Sequence, residues 1–206
     1  MDAQAFWNVI GQYKHNTILI QVLLLIATVI AVTLSYTNKV AYAAKLMLGI
    51  GNLYIGIVFF GRYGTEPIQK YFALPLYLIC GFLFLFECWH NKNDILDRPG
   101  LFQVILLGLY CFYPLISFAL GNQFPKMVTH IMPCPIVSLS IAVYAGYKRK
   151  NKLLLLVLAI WGLTGIKSVI FAAYEDIILF ICGIYEVYLL IKEMRLSKSM
   201  ETTSGL

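Results

Sequence analysis

TILIQVLLLIATVIAVTLSY, from Thr17 to Tyr36, is a run of 20 residues with no charged side chain. A helix of that length rises about 30 Å, which is the depth of a bilayer's hydrocarbon core. Six further apolar runs follow at 43–60, 72–88, 101–120, 131–147, 153–171 and 176–192, each near the length a spanning helix needs. Across the 206 residues 60% are hydrophobic and 13% charged, against about 25% charged in an ordinary soluble domain. The expected fold is therefore an all-α integral membrane protein, a seven-span transmembrane helical bundle. Its surroundings are lipid, and little chain is left for an extramembrane domain.

Three regions follow from that reading. Residues 1–16 form an outer interfacial segment, in which Phe6, Ile10 and Tyr13 recur at helical spacing beside Trp7 and are suited to lying flat at the headgroups or fraying. Residues 17–192 form the transmembrane domain, and 193–206 a disordered cytoplasmic tail. The first run follows no basic leader and contains no cleavage-like site, so it is read as a retained span.

The net charge of +6 belongs to the loops. With seven spans, one face collects Lys39, Lys45, Lys92, Arg98, Lys148, Arg149, Lys150, Lys152, Lys192, Arg195 and Lys198, and the other Lys14, Arg62, Lys70 and Lys126. The positive-inside bias puts the larger set in the cytoplasm, with the N-terminus outside and the C-terminus inside a cell membrane. Pro133 and Pro135 also allow a six-span alternative, in which 131–147 is re-entrant. The charge count is as lopsided in that arrangement, and seven spans are preferred because both prolines open the run, where a missing N–H costs least. No basic stretch tracks a phosphate backbone, so nucleic acid is not an expected partner. The five cysteines lie in or beside apolar runs and read as buried thiols.

Polar residues within the runs mark what faces inward. Lys45, Gly49, Asn52 and Gly56 share one stripe, on which small residues allow close approach and Asn52 seeks a partner on a neighbouring helix. Tyr110, Pro114, Ser117 and Gly121 form another, with a kink at Pro114 freeing a carbonyl that Ser117 or a water would bond. Thr17, Gln21 and Thr28 share a face of the first span. Ionisable groups inside spans are costly and are functional candidates by default. Glu186 falls ten residues beyond Asp176, roughly 15 Å down the last helix and near mid-membrane. A charge there needs a cation or water beside it; otherwise the side chain snorkels inward. Lys167 lies just before Glu175 and Asp176, where an ion pair across the turn is the plain expectation, and Glu87 reads as interfacial.

Catalytic and cofactor motifs are missing from the sequence. HExxH, CxxC, GxSxG and phosphate loops are not found, and no metal or cofactor is expected. His130 and Cys134 stand four apart at the outer end, but the flanking prolines spoil helical geometry between them. His90 and Cys88 belong to the opposite surface, about 30 Å away.

YPLISFALGNQFP (113–125), HIMPCPIVSLSIAVY (130–144), LAIWGLTG (158–165) and YEDIILFICGIY (174–185) together resemble the bacterial membrane-protein family catalogued as domain of unknown function 6064. The likeness extends to the opening FWNVIGQYKHNTILIQ (6–21). It maps the family's features onto Tyr113, Pro114, Gly121, Pro125, Pro133, Cys134, Pro135, Trp161, Gly165 and Asp176. Gln123 and Lys167 depart from the family's pattern, which expects His and a small residue there. The resemblance implies a compact multi-pass fold and assigns no activity.

The residues lead to one functional expectation and two alternatives. The first is a bundle handling a small solute or ion, with an outer vestibule at Cys134, Lys167 and Asp176 and a midplane carboxylate at Glu186; Asn52, Tyr110 and His130 are the other candidates along the path. The second is a membrane-embedded enzyme or redox protein using Cys134 with His130 at the outer surface. The third is an assembly or sensor subunit whose polar stripes only pack helices.

Overall fold

The computed structural model describes residues 3–204. Helix α1 spans Ala3–Tyr36 and α2 Ala43–Tyr54, the latter continuing through wider π-helical turns at Ile55–Tyr63. A second π-helical stretch, Gln69–Ala73, leads into α3 at Leu74–His90, followed by α4 at Leu101–Ala119 and α5 at Pro133–Tyr144. Helix α6, Lys152–Leu163, runs on through a 3₁₀ turn at Thr164–Lys167 into the one-turn α7, Ser168–Phe171. A 3₁₀ turn at Tyr174–Asp176 then opens α8, Ile177–Ser204. Each apolar run has its helix, and no strand occurs among the described residues. Five helical stretches are long and apolar enough to cross a membrane: Phe6–Tyr36, Ala43–Tyr63, Gln69–His90, Leu101–Ala119 and Lys152–Ile170.

The helix ends have local causes. The Asn151 side chain accepts from the backbone N–H of Leu153 at 2.9 Å and so caps α6. Pro133 and Pro135 occupy the first turn of α5, where the lost N–H groups had no intrahelical partner. Gly64 ends the π-helical stretch in a tight turn; a Cβ there would lie 2.3 Å from the Phe60 carbonyl oxygen.

Two stretches differ from the sequence reading. The first sixteen residues are, from Ala3 on, the opening turns of α1, with Val9, Ile10 and Tyr13 buried in the bundle. Tertiary contacts hold them: the Tyr13 hydroxyl donates to the Ile131 carbonyl at 2.8 Å, which neither a frayed nor a flat-lying segment would allow. The tail from 193 continues as helix α8 to Ser204, because nothing in Glu193–Met194–Arg195–Leu196 breaks a helix and Glu193 sits 3.9 Å from Lys150. Residues 1–2 and 205–206 lie outside the described residues.

Polar stripes turn inward and apolar ones outward. Lys45, Gly49, Asn52 and Gly56 are buried, as are Thr17, Gln21 and Thr28. Leu19 (71% exposed), Phe82 (61%) and Leu115 (61%) face out, the reverse of a water-soluble bundle. Exposed Trp89 and Tyr71 sit near opposite helix ends, where amphipathic rings suit an interface. Glycines bring backbones together. A Cβ at Gly162 would lie 2.5 Å from Gly183 Cα, and one at Gly165 2.6 Å from the Phe180 nitrogen, so α6 and α8 meet almost backbone to backbone. Helices α2 and α3 approach through Gly49 and Gly81 in the same way.

Helix α5 is the centre of the bundle, with eleven of its twelve residues buried. It runs from the end where Tyr77 meets the Pro133 carbonyl to the end where Tyr144 meets Asn151. At about 18 Å it is shorter than a hydrocarbon core. Other helices surround it on all sides.

Candidate functional site

Three groups of interior polar residues stand out, one at each end of the bundle and one between. The first gathers where α1 begins and α4 ends. Ser117 is its hub: its hydroxyl donates to Glu175 Oε1 at 2.7 Å and accepts the Val128 N–H at 2.9 Å, with the Asn122 amide 3.3 Å away. Glu175 is buried, and its Oε2 has no partner. Asp176 accepts from the Tyr113 hydroxyl at 3.1 Å and lies beside the Cys134 thiol. Lys14 is fully buried and donates to the Met127 carbonyl.

Beside this group opens a cleft of about 150 Å³. Its walls come from the start of α1, both π-helical stretches, the entry to α5 and the end of α6. Wide helical turns are uncommon and gather at functional sites, and here both sets line the same opening. On its wall Phe60 meets Trp161 edge-on and Phe72 stacks on it, while Tyr77 packs against Trp161 from outside the cleft, 4.9 Å away centroid to centroid. Ile68 and Phe72 are exposed at the rim, while Met132, Ser168 and Asp176 are buried at the floor.

The outer candidates from the sequence are therefore partly assembled. Cys134, Asp176 and Lys167 line one cleft. The expected ion pair between Lys167 and the acids does not form: Lys167 is exposed, and Glu175 and Asp176 are held by Ser117, Asn122 and Tyr113 instead. The acids turn inward because neutral donors on α4 reach them there. His130 is not brought to Cys134. Its Nε2 lies 3.4 Å from the Cys111 carbonyl, and its ring meets Tyr110 edge-on at 4.9 Å. Burial lowers the His130 pKa from its ordinary value, and the Cys111 contact opposes that in part. Tyr110 is buried, its hydroxyl without a partner. The Pro133 and Cys134 carbonyls are not left free for a ligand, since Tyr77 takes one at 2.6 Å and Ser138 the other at 3.0 Å. Pro114 lies within the continuous helix α4, and Ser117 does not serve its backbone, being spent on Glu175 and Val128. No group of three metal-ligating side chains occurs among the described residues.

Midway, Asn52 behaves as an interhelical amide, donating to the Leu48 carbonyl at 2.8 Å and to Ser140 on α5 at 3.1 Å. Glu186 is different. It is fully buried, it does not snorkel, and neither carboxyl oxygen has a hydrogen-bond partner. Cys80 of α3, Tyr144 of α5, Lys150 of the connection before α6, and Cys182 and Tyr185 of its own helix are within electrostatic reach. A buried carboxyl with both oxygens unmet is costly and calls for a water, an ion or a proton that comes and goes.

The third group lies at the opposite end and was missed in the sequence. Lys45, wholly buried, donates to Asp94 at 3.0 Å and lies 3.6 Å from Glu87 and 4.2 Å from the centre of the Tyr147 ring. Asn91 and Asn151 donate to the two oxygens of Glu87 at 2.8 and 3.3 Å. Glu87, in the last turn of α3, is thus buried within the protein at that end. Lys150, its pKa lowered by burial and partly restored by Glu193, donates to the Tyr147 carbonyl. Lys45's place on the Gly49–Asn52 stripe pointed it inward; its main partner, in the 91–100 loop, had no signature.

Fold and interior together define a class: an all-helical protein with membrane-length apolar helices around buried, hydrogen-bonded charge. The chain belongs to the Family of unknown function (DUF6064), whose model matches residues 3–201. No curated protein and no solved structure matches it.

Proposed function

We propose that this protein is a seven-span membrane protein that passes an ion or small solute through its interior, entering from the outer end at the cleft lined by Cys134, Lys167 and Asp176. Glu186 carries the reading: a carboxyl fully enclosed at mid-depth with neither oxygen bonded is left free to take up and release a proton or to receive a cation. The lipid bilayer is the medium, with the cleft outside and the Lys45–Asp94 end in the cytoplasm. The sidedness rests on the charge bias, since Lys39, Lys92, Arg98 and Lys148 cluster at the Lys45 end. The separation of His130 from Cys134 makes the enzyme reading the weaker one, and Asn52 acts as the packing reading requires.

The test uses protons as the probe. Protein reconstituted into liposomes containing a trapped pH dye should dissipate an imposed pH gradient faster than empty liposomes, and Glu186→Gln should abolish the difference while keeping the fold. Equal flux from the wild type and E186Q would overturn the reading.

A further inference from the structure

Two connections meet at the Lys45 end of the bundle, one following α3 and one joining α5 to α6. Leu96 pairs with Tyr147 in an antiparallel bridge, the Asp97 N–H donates to the Gly146 carbonyl at 3.1 Å, and the Arg149 N–H reaches Asp94 Oδ1 at 3.4 Å. Between them lies a pocket of about 450 Å³, whose lining includes Lys92, Asn93, Lys148, Arg149 and a single acid, Asp94. Asp94 is buried, and its Oδ2 accepts from Lys45 beneath the floor at 3.0 Å, so its charge is met inside the protein. The three cations are exposed. Arg149 has no side-chain partner among the described residues, and Lys92 lies 4.8 Å over the Trp89 ring with no acid beside it. Lys148 stands 3.7 Å from Asp97, but both side chains are more than half exposed, and such a pair holds its partners weakly.

We propose that this pocket holds a phosphate group presented by an anionic lipid of the adjoining leaflet, with Arg149, Lys92 and Lys148 around it. Like charges gathered on one cavity repel, and an anion between them removes that cost. The donor set selects the anion. A guanidinium fork and two ammonium groups, with the Asn93 amide beside them, suit a tetrahedral group with several bare oxygens. A carboxylate has two oxygens in one plane and would be filled by the arginine alone. The position selects the carrier. The pocket opens where α3 ends, next to exposed Trp89 and with exposed Ile95 in its own lining, which is the level of headgroups if the apolar helices sit in a bilayer. It also lies at the end that the charge bias assigns to the cytoplasm, where anionic lipid and clustered Lys and Arg attract one another. The site lies far from the Cys134 cleft, and its occupancy needs no flux through the bundle.

The full chain in an uncharged detergent is melted with dioctanoyl phosphatidic acid, dioctanoyl phosphatidylcholine or inorganic phosphate. The expected result is a saturable rise in melting temperature with phosphatidic acid, at a half-saturating concentration at least tenfold below that of inorganic phosphate, and no rise with phosphatidylcholine. Lys92→Gln/Arg149→Gln should raise the half-saturating concentration of phosphatidic acid about tenfold without lowering the melting temperature of the free protein, because neither side chain has an acid to lose. Arg62→Gln/Lys70→Gln removes the same charge at the opposite end and should leave the titration where it was. Equal stabilisation by phosphatidylcholine, a titration unmoved by K92Q/R149Q, or equal weakening by R62Q/K70Q would each overturn the proposal. Inorganic phosphate binding as tightly as phosphatidic acid would overturn the lipid as the carrier of the group. Tight phosphatidic acid binding in a protein that moves no protons would leave the site standing while the transport reading fell.

Discussion

Replacing Lys45 by Met removes the one cation between Glu87 and Asp94 and keeps most of the side-chain volume. Both carboxylates have side chains only 4% exposed, so neither can turn to water without dragging its helix end or loop along. Removing one partner of a buried ion pair typically costs about 3–5 kcal/mol, because the remaining charge stays desolvated. Here the lysine serves two acids, at 3.0 and 3.6 Å, which places the loss toward the top of that range. For a chain of this size each kcal/mol moves the melting temperature by roughly 2–4 °C, so a fall of about 10–20 °C is expected. A thiol-reactive fluorophore reads it in detergent once Cys88, Cys111 and Cys134 are replaced by serine or alanine in every variant compared, since the remaining Cys80 and Cys182 are buried and report only on opening. The triple variant Lys45→Met/Glu87→Gln/Asp94→Asn removes the stranded charges and should recover more than half of the loss. A fall under about 4 °C for K45M, or a triple variant no better than the single, would show that the lysine acts through packing and not through charge.

Other consequences follow from contacts at the remaining positions. Gly162→Ala puts a methyl 2.5 Å from the Gly183 Cα, a backbone atom that cannot yield, so melting should show a loss of about 1–3 kcal/mol; Gly108→Ala, with nothing within 4 Å, should be neutral or stabilising. Ser117→Ala strands the Val128 N–H and leaves Glu175 Oε1 only the Asn122 amide at 3.3 Å, and should cost about 1–3 kcal/mol by the same assay, whereas Ser117→Thr should retain part of it. His130, with its pKa held down by burial, contributes stability that is complete above its ordinary value near 6.5 and declines as pH falls through the lower folded value. Melting curves on the acid side should therefore fall less steeply for His130→Gln than for the wild type; parallel curves would mean the ring titrates as if in water.

Much of the architecture was legible because long charge-free apolar runs, of the length a bilayer core would demand, fold as helices. Runs such as 17–36 and 101–120 became α1's apolar part and α4 almost residue for residue. Stripes were legible for a related reason: in a helix packed among helices, Gly49 and Asn52 have nowhere to face but inward. Of the candidate site, Cys134, Asp176 and Lys167 meet in one cleft, and Glu186 is enclosed. What failed was pairing. Lys167 and Glu175 are close in sequence, yet the acid is taken by Ser117, some sixty positions earlier. His130 and Cys134, four apart, were already separated on paper by the prolines between and beside them; what the sequence did not show was the imidazole's place against the Cys111 carbonyl of α4.

The order of amino acids alone indicated that this chain is helical, where the apolar part of each helix lies, and, on stripes such as Lys45–Gly49–Asn52–Gly56, which face turns inward; it did not show that α1 starts at Ala3 or that α8 runs on to Ser204. What it did indicate is one-dimensional, fixed by hydropathy and by the 3.6-residue period of a helix. Only the packed bundle decided that Lys45 finds Asp94, that α5 is sheathed in protein, that Ser168 and Trp161 border the same cleft, and that Glu186 has no partner. Each of those depends on which helices stand side by side, a choice made by glycine contacts and loop reach across the whole chain.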